Sequence, residues 1–178
     1  FYTISDASKT ILGEYFKDEP DWKITIRFLT PEEKVSDAMV LELARSYVST
    51  FNGHVALEFN DLKSDPAFAD KYTTLTQTVL TSSHVIVEGK YHTRAVNFNA
   101  FYYFDTETGE KVSFTGEKTY TAAILRAGLK ESPKAVFTVG HGETLDGIDL
   151  SKLEGERSIA IEQAAHMLPL MDSLFDMG

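Results

Sequence analysis

The residues whose types and spacing could do chemistry are Gly140-His141-Gly142-Glu143, directly after the apolar run Ala135-Val136-Phe137-Thr138-Val139. That run reads as a short buried strand, and ligands of open α/β sheets sit at the carboxyl ends of strands. Glycines at such a point let the backbone turn sharply or approach a ligand. His141 and Glu143 are residue types that serve in acid–base work or as metal ligands. One histidine and one carboxylate do not complete a site, and nothing in the sequence brings His166, on a later helix, back to them. The same four residues would equally make a tight strand-to-helix turn with a hydrogen-bonded histidine.

Other groupings are weaker. Asp61, Asp65 and Asp70 with Glu58 lack calcium-loop spacing and read as a solvated loop. His84 and His92 flank a predicted hairpin and are expected to face each other across it as a surface pair. Ser5, Ser8 and Thr73-Thr74-Leu75-Thr76 lack the G-x-S-x-G context of an activated nucleophile. The absence of cysteine excludes disulfides, zinc–thiolate sites and thiol catalysis. A formal charge of −10, with no local Lys/Arg cluster, argues against nucleic acid as a partner. Phe101 to Phe104 therefore reads as a strand rather than a base-stacking platform. No catalytic residue, metal site or cofactor is assigned.

The elements that would position these groups follow from periodicity. Ser5 caps a first helix with Ile11, Leu12, Tyr15 and Phe16 as its apolar stripe. Lys23 to Leu29 alternates as a strand, with Ile24, Ile26 and Phe28 on one face. Thr30-Pro31-Glu32-Glu33 has the form of a capping box, predicting a helix from there to about Phe51. His54 to Phe59 is a second strand, expected to run parallel to the first. Asp61 to Lys71 reads as a loop with a short helical turn. His84–Val87 and Thr93–Phe98 form a predicted hairpin, and Phe101–Phe104 with Lys111–Phe114 a second antiparallel pair. A helix from about Glu117 to Leu129 turns Tyr120, Ala123, Ile124 and Ala127 inward.

The fold class is α/β. A β–α–β unit, then antiparallel strands, then a packing helix gives a thioredoxin-like mixed-sheet layout over residues 1–132, without redox chemistry because there is no cysteine. After Ser132-Pro133, residues 133–178 read as the first strand and helix of a second α/β domain. A polar loop follows Glu143, and the helix begins near Ser158 and is interrupted by Pro169. No second parallel strand follows, so this domain is expected to continue beyond Gly178. No apolar run approaches the ~20 residues that cross a bilayer. Phe1 in place of Met leads to the expectation that a leader or anchor lies upstream.

Four stretches together resemble one family. Tyr2-Thr3-Ile4-Ser5 with Ser8 and Leu12 is similar to its "lS…s…L" segment, and Lys23 to Phe28 with the helix reaching Tyr47 to its first β–α step. Phe114-Thr115-Gly116-Glu117-Lys118 with Thr121 to Ile124 looks like its "f-x-G-E-x-x-l-t-s-A-I" helix start. Val136 to Glu143 looks like its "v-y-f-l-t-G-H-G-E" strand, with Val139 replacing a threonine and so removing a hydroxyl from the turn. The family is the auxiliary extracytoplasmic component of ABC-type transport systems, similar to gliding-motility-associated ABC transporter proteins. The resemblance implies a thioredoxin-like domain followed by a glutaminase-like (flavodoxin-like) domain, held by membrane helices outside these residues. It implies ABC permease and ATPase subunits as partners, and a non-enzymatic role in binding substrate or scaffolding. Its motifs fall on Gly116, Glu117, Gly140, His141, Gly142 and Glu143; Glu117 with Gly140 to Glu143 are the candidate ligand-binding residues, and Glu117 also reads as a charge complementing a helix N-terminus. The rival readings are a hydrolase using His141 and Glu143 with residues beyond Gly178, and a cytosolic binding module without a membrane link.

Overall fold

The structure is a computed structural model that describes residues 3–130 and the backbone of Thr144–Leu145 and Ile148–Asp149. The chain divides into two units, Phe1–Lys130 and Glu131–Gly178. In the first, α1 (Asp6–Asp18) starts where the Ser5 hydroxyl accepts from the Ser8 N–H at 3.3 Å. Leu12 and Phe16 face inward from it, while Ile11 is 48% exposed despite its place in the expected stripe. β1 (Ile24–Phe28) buries Ile24, Ile26 and Phe28, as the alternation predicts.

The long helix expected from Pro31 does not form as such. Glu32–Lys34 makes one 3₁₀ turn, Val35 is extended, and α2 (Ala38–Thr50) begins only after Asp37. The Asp37 carboxylate accepts from the N–H groups of Met39 and Val40 at 3.2 and 3.1 Å, which makes it the cap that the Thr30 reading misplaced. Glu32 is instead drawn to the Arg45 guanidinium. β2 (Val55–Phe59) follows, parallel to β1 with Ile24 opposite Val55 and Phe28 opposite Phe59.

Where a loop with one turn was expected, α3 (Pro66–Thr76) runs for 11 residues. Asp65 caps it by accepting from Phe68 N–H at 3.0 Å, and Pro66 fits the first turn, whose N–H groups have no helical partner. Its apolar stripe is short, Phe68 and Tyr72, which is why periodicity alone missed it.

The hairpin β3 (His84–Glu88) and β4 (Thr93–Asn97) forms as expected. β5 (Tyr102–Phe104) and β6 (Lys111–Phe114) make a separate two-stranded ribbon, and α4 (Gly116–Gly128) closes the unit. The result is an α/β fold with a mixed sheet in the order β2-β1-β3-β4, in which β3 is antiparallel to both neighbours. Ile26 and Phe28 of β1 and Val85 and Val87 of β3 share one face with side chains of α1, α2 and α4. Leu29 and Ile86 pack on the other face with Tyr72 of α3. Full burial of each such side chain contributes roughly 1.5–3 kcal/mol.

The turn between β3 and β4 is fastened to the end of α4. The N–H groups of Tyr91 and His92 both donate to the Ala127 carbonyl, at 3.3 and 3.2 Å, satisfying an acceptor that the helix itself leaves open. The approach is so close that a Cβ on Gly89 would collide with the Ala127 backbone.

In the second unit, β7 (Thr144–Leu145) pairs antiparallel with β8 (Ile148–Asp149), where a polar loop was expected. The sequence between them is Asp146-Gly147, a dipeptide that favours tight hairpins.

Candidate functional site

Glu117 is the one candidate site residue within the described part of the chain, and it stands at a junction of two helices. It lies in the first turn of α4, and its carboxylate accepts from the Ser5 backbone N–H at 3.0 Å and from the Ser5 hydroxyl. Ser5 is the N-cap of α1, so one carboxylate serves the N-termini of two helices. Both ends carry partial positive charge, which a single negative group complements. Burial opposes ionisation, but hydrogen bonds from the Ser5 and Ser8 hydroxyls and the nearby Lys9 ammonium outweigh it. The Glu117 carboxyl is therefore held below its ordinary value. A carboxylate so engaged stays ionised and makes a poor general base.

Behind it runs a buried chain of hydroxyls. The Thr121 hydroxyl donates to Ser8 Oγ at 3.1 Å, and the Tyr47 hydroxyl lies 2.6 Å from Thr121 Oγ1 and donates to the Glu117 carbonyl at 3.0 Å. Burial pushes the Tyr47 phenol well up, so it remains a proton donor. Gly116 before it is buried, and an added Cβ would meet the Phe114 ring and a Leu43 methyl. These contacts join α1, α2 and α4. Ser5 and Ser8 thus act as cap and packing hydroxyls.

Gly140, His141, Gly142 and Glu143, with His166, lie outside the described residues. His84 and His92 do not face each other. His84 opens β3 opposite Asn97, while His92 sits in the turn at the far end of the same hairpin. The His84 Nδ1 instead accepts from Thr81 N–H at 3.2 Å, and burial pushes this imidazole below its ordinary value. The acidic group separates too. Asp61 accepts from Lys63 N–H at 3.0 Å, Asp65 caps α3 and Glu58 pairs with Arg27. Among the described residues there is no group of three or more His, Asp or Glu side chains able to hold a metal ion. Phe101 is fully buried against Tyr120, leaving Tyr103 as the exposed ring of that stretch.

One charged cluster escaped the sequence reading. Arg27 on β1 pairs with Glu58 on β2 and, at 2.9 Å, with Glu88 on β3, and the Tyr72 hydroxyl donates to the same Glu88 oxygen at 2.8 Å. Burial and this hydrogen bond push the Tyr72 phenol up to about 12. The available signal was a lone arginine in the strand Ile24-Thr25-Ile26-Arg27-Phe28, on the face opposite the isoleucines. It bridges three strands under α3.

No helix among the described residues is long and apolar enough to cross a membrane. No protein-family model, curated protein or solved structure matches the chain.

Proposed function

We propose that this chain is the extracytoplasmic part of an ABC transporter accessory protein, acting without catalysis to bind substrate or scaffold the permease and ATPase. The observation that carries the reading is the junction of Ser5 and Ser8 with Glu117 and Thr121. Two of the stretches that resemble the family are 112 residues apart at Ser5 and Glu117, and one set of hydrogen bonds joins Ser5 and Ser8 of the first to Glu117 and Thr121 of the other. The apolar motif positions fit as well, since Leu12, Ala123 and Ile124 are buried in the same core.

The finer fold assignment is thioredoxin-like for residues 1–132. It is supported by the strand order β2-β1-β3-β4 with β3 reversed, and by α2 and α4 on one face with α3 on the other. Residues 133–178 are assigned to the start of a glutaminase-like domain on the strength of the Gly140 to Glu143 motif.

The absence of cysteine from these 178 residues makes the reading testable by labelling, with the parent protein lacking the Val79 substitution as the background control. Val79 is 82% exposed, so a Val79→Cys variant places one reactive thiol among these residues. In spheroplasts of the source organism, a membrane-impermeant maleimide should label it before lysis. Labelling only after lysis would place the chain in the cytosol and overturn the proposal.

A further inference from the structure

A second, separate feature is a groove of about 350 Å³ at the end of the sheet where β1 and β4 finish and β3 begins. Four segments converge on it: Ser36-Asp37 before α2, Thr81 and Ser83 before β3, Asn97 at the end of β4 with Phe98 and Asn99 after it, and Lys111 at the start of β6. Its volume falls at the lower end of the roughly 300–1,000 Å³ typical of small-ligand sites. It also occupies the end of the sheet, beyond the carboxyl end of β1, where α/β folds place ligands.

The charge of this lining is one-sided, because its carboxylate is engaged within the protein while its ammonium has no ion pair among the described residues. The side chains of Asp37, Asn97 and Thr81 accept hydrogen bonds within the protein. Asp37 accepts from Met39 N–H, Val40 N–H and the Tyr102 hydroxyl. Asn97 Oδ1 accepts from Asn99 N–H at 2.9 Å, and Thr81 Oγ1 accepts from Ser83 N–H at 3.3 Å. The groups that have no hydrogen-bond partner among the described residues are the hydroxyls of Ser36 and Ser83, the Asn99 amide and the Lys111 ammonium. Lys111 is held 3.8 Å from the centre of the Tyr102 ring, and it forms no ion pair among the described residues. All four can donate; the two hydroxyls and the amide can also accept, so the Lys111 charge is what favours an anion. The Asp37 charge, meanwhile, is turned to the N-terminus of α2 and to Tyr102.

We infer that this groove binds an oxyanion, the phosphate or carboxylate group of a small ligand. Lys111 supplies the charge, and the Ser36, Ser83 and Asn99 side chains supply neutral hydrogen bonds. The inference does not rest on the transporter reading, since it uses none of the motif residues. The overall charge of −10 opposes anion approach, so binding should be measured at one constant ionic strength of about 0.15 M, where a Debye length of about 8 Å screens the distant charges.

The test is a ¹⁵N–¹H correlation titration of the whole chain with inorganic phosphate and, separately, with acetate. Saturable shifts centred on the amides of Ser36, Ser83 and Asn99 are expected with at least one anion. Phosphate alone would identify a phosphoryl ligand, and acetate alone a carboxylate. Lys111→Gln should raise Kd about tenfold, the loss of one charge-assisted hydrogen bond. Lys111→Arg, which keeps the charge, should stay within about threefold, and spectra away from the groove report that both variants remain folded. Linear shifts with both anions, or equal Kd in Lys111→Gln, would overturn the inference.

Discussion

The Glu117 carboxylate accepts hydrogen bonds from both the backbone N–H and the hydroxyl of Ser5, tying the first turn of α4 to the cap of α1. The N-terminal helix is thereby locked to the core at its polar end, while Leu12 and Phe16 hold it along its length.

Removing that carboxylate should loosen α1. Glu117→Ala is expected to cost about 1 kcal/mol at neutral pH, at the lower end for a hydrogen-bonded charge because the site is partly exposed. Its folded-state value lies below the ordinary one, so the contribution is present above the unfolded value and is lost as pH falls through the folded one. Urea melts at pH 7 and at pH 3 check this, because the gap between wild type and Glu117→Ala should shrink in acid.

The hydroxyl chain behind it should act as a unit. Tyr47→Phe and Thr121→Val are each expected to cost about 1–2 kcal/mol, since both residues are buried and share one hydrogen bond. The double variant should cost less than the sum of the two. Strict additivity in denaturant melts would mean the two hydroxyls do not interact.

Arg27 bridges two carboxylates on neighbouring strands, and without it Glu58 and Glu88 would be left beneath α3 with no cation from β1. Arg27→Ala should cost roughly 2 kcal/mol, less than for a wholly buried pair because Glu58 is half exposed. Tyr72 carries a separate alkaline signature. Its value is raised on folding to about 12, so its contribution is complete below the unfolded value and fades as pH rises through the folded one. Thermal melts from pH 9 to pH 12 should show a smaller alkaline loss in Tyr72→Phe than in wild type.

Gly89 faces the Ala127 backbone, which cannot swing aside as a side-chain tip can. Gly89→Ala should therefore displace the β3–β4 turn from α4 and cost roughly 2–4 kcal/mol, a loss measurable as a lower Tm. Amide exchange should report faster opening at Tyr91 and His92, whose N–H groups bond to Ala127.

Strong period-two and 3.6-residue patterns were legible in the sequence. β1 with Ile24, Ile26 and Phe28 inward, the parallel β2, the hairpins and α4 all follow from them. α3 was not, because Tyr72 is the only fully buried side chain of a threonine-rich helix and its start depends on Asp65-Pro66. The start of α2 was misread because two capping signals compete. Asp37 prevails over Thr30 by reaching two backbone N–H groups, and Glu32 is diverted to Arg45. Ser5 could be read as a cap, but its partner could not. A contact across 112 residues leaves no local pattern, and the same holds for Arg27 with Glu88.

The most direct test of the central claim is affinity purification of the tagged protein, expressed from its own gene, out of detergent-solubilised native membranes, with mass spectrometry of what accompanies it. The account predicts stoichiometric recovery of an ABC ATPase and a multi-span permease. Recovery of the protein from the soluble fraction, with neither subunit attached, would contradict it.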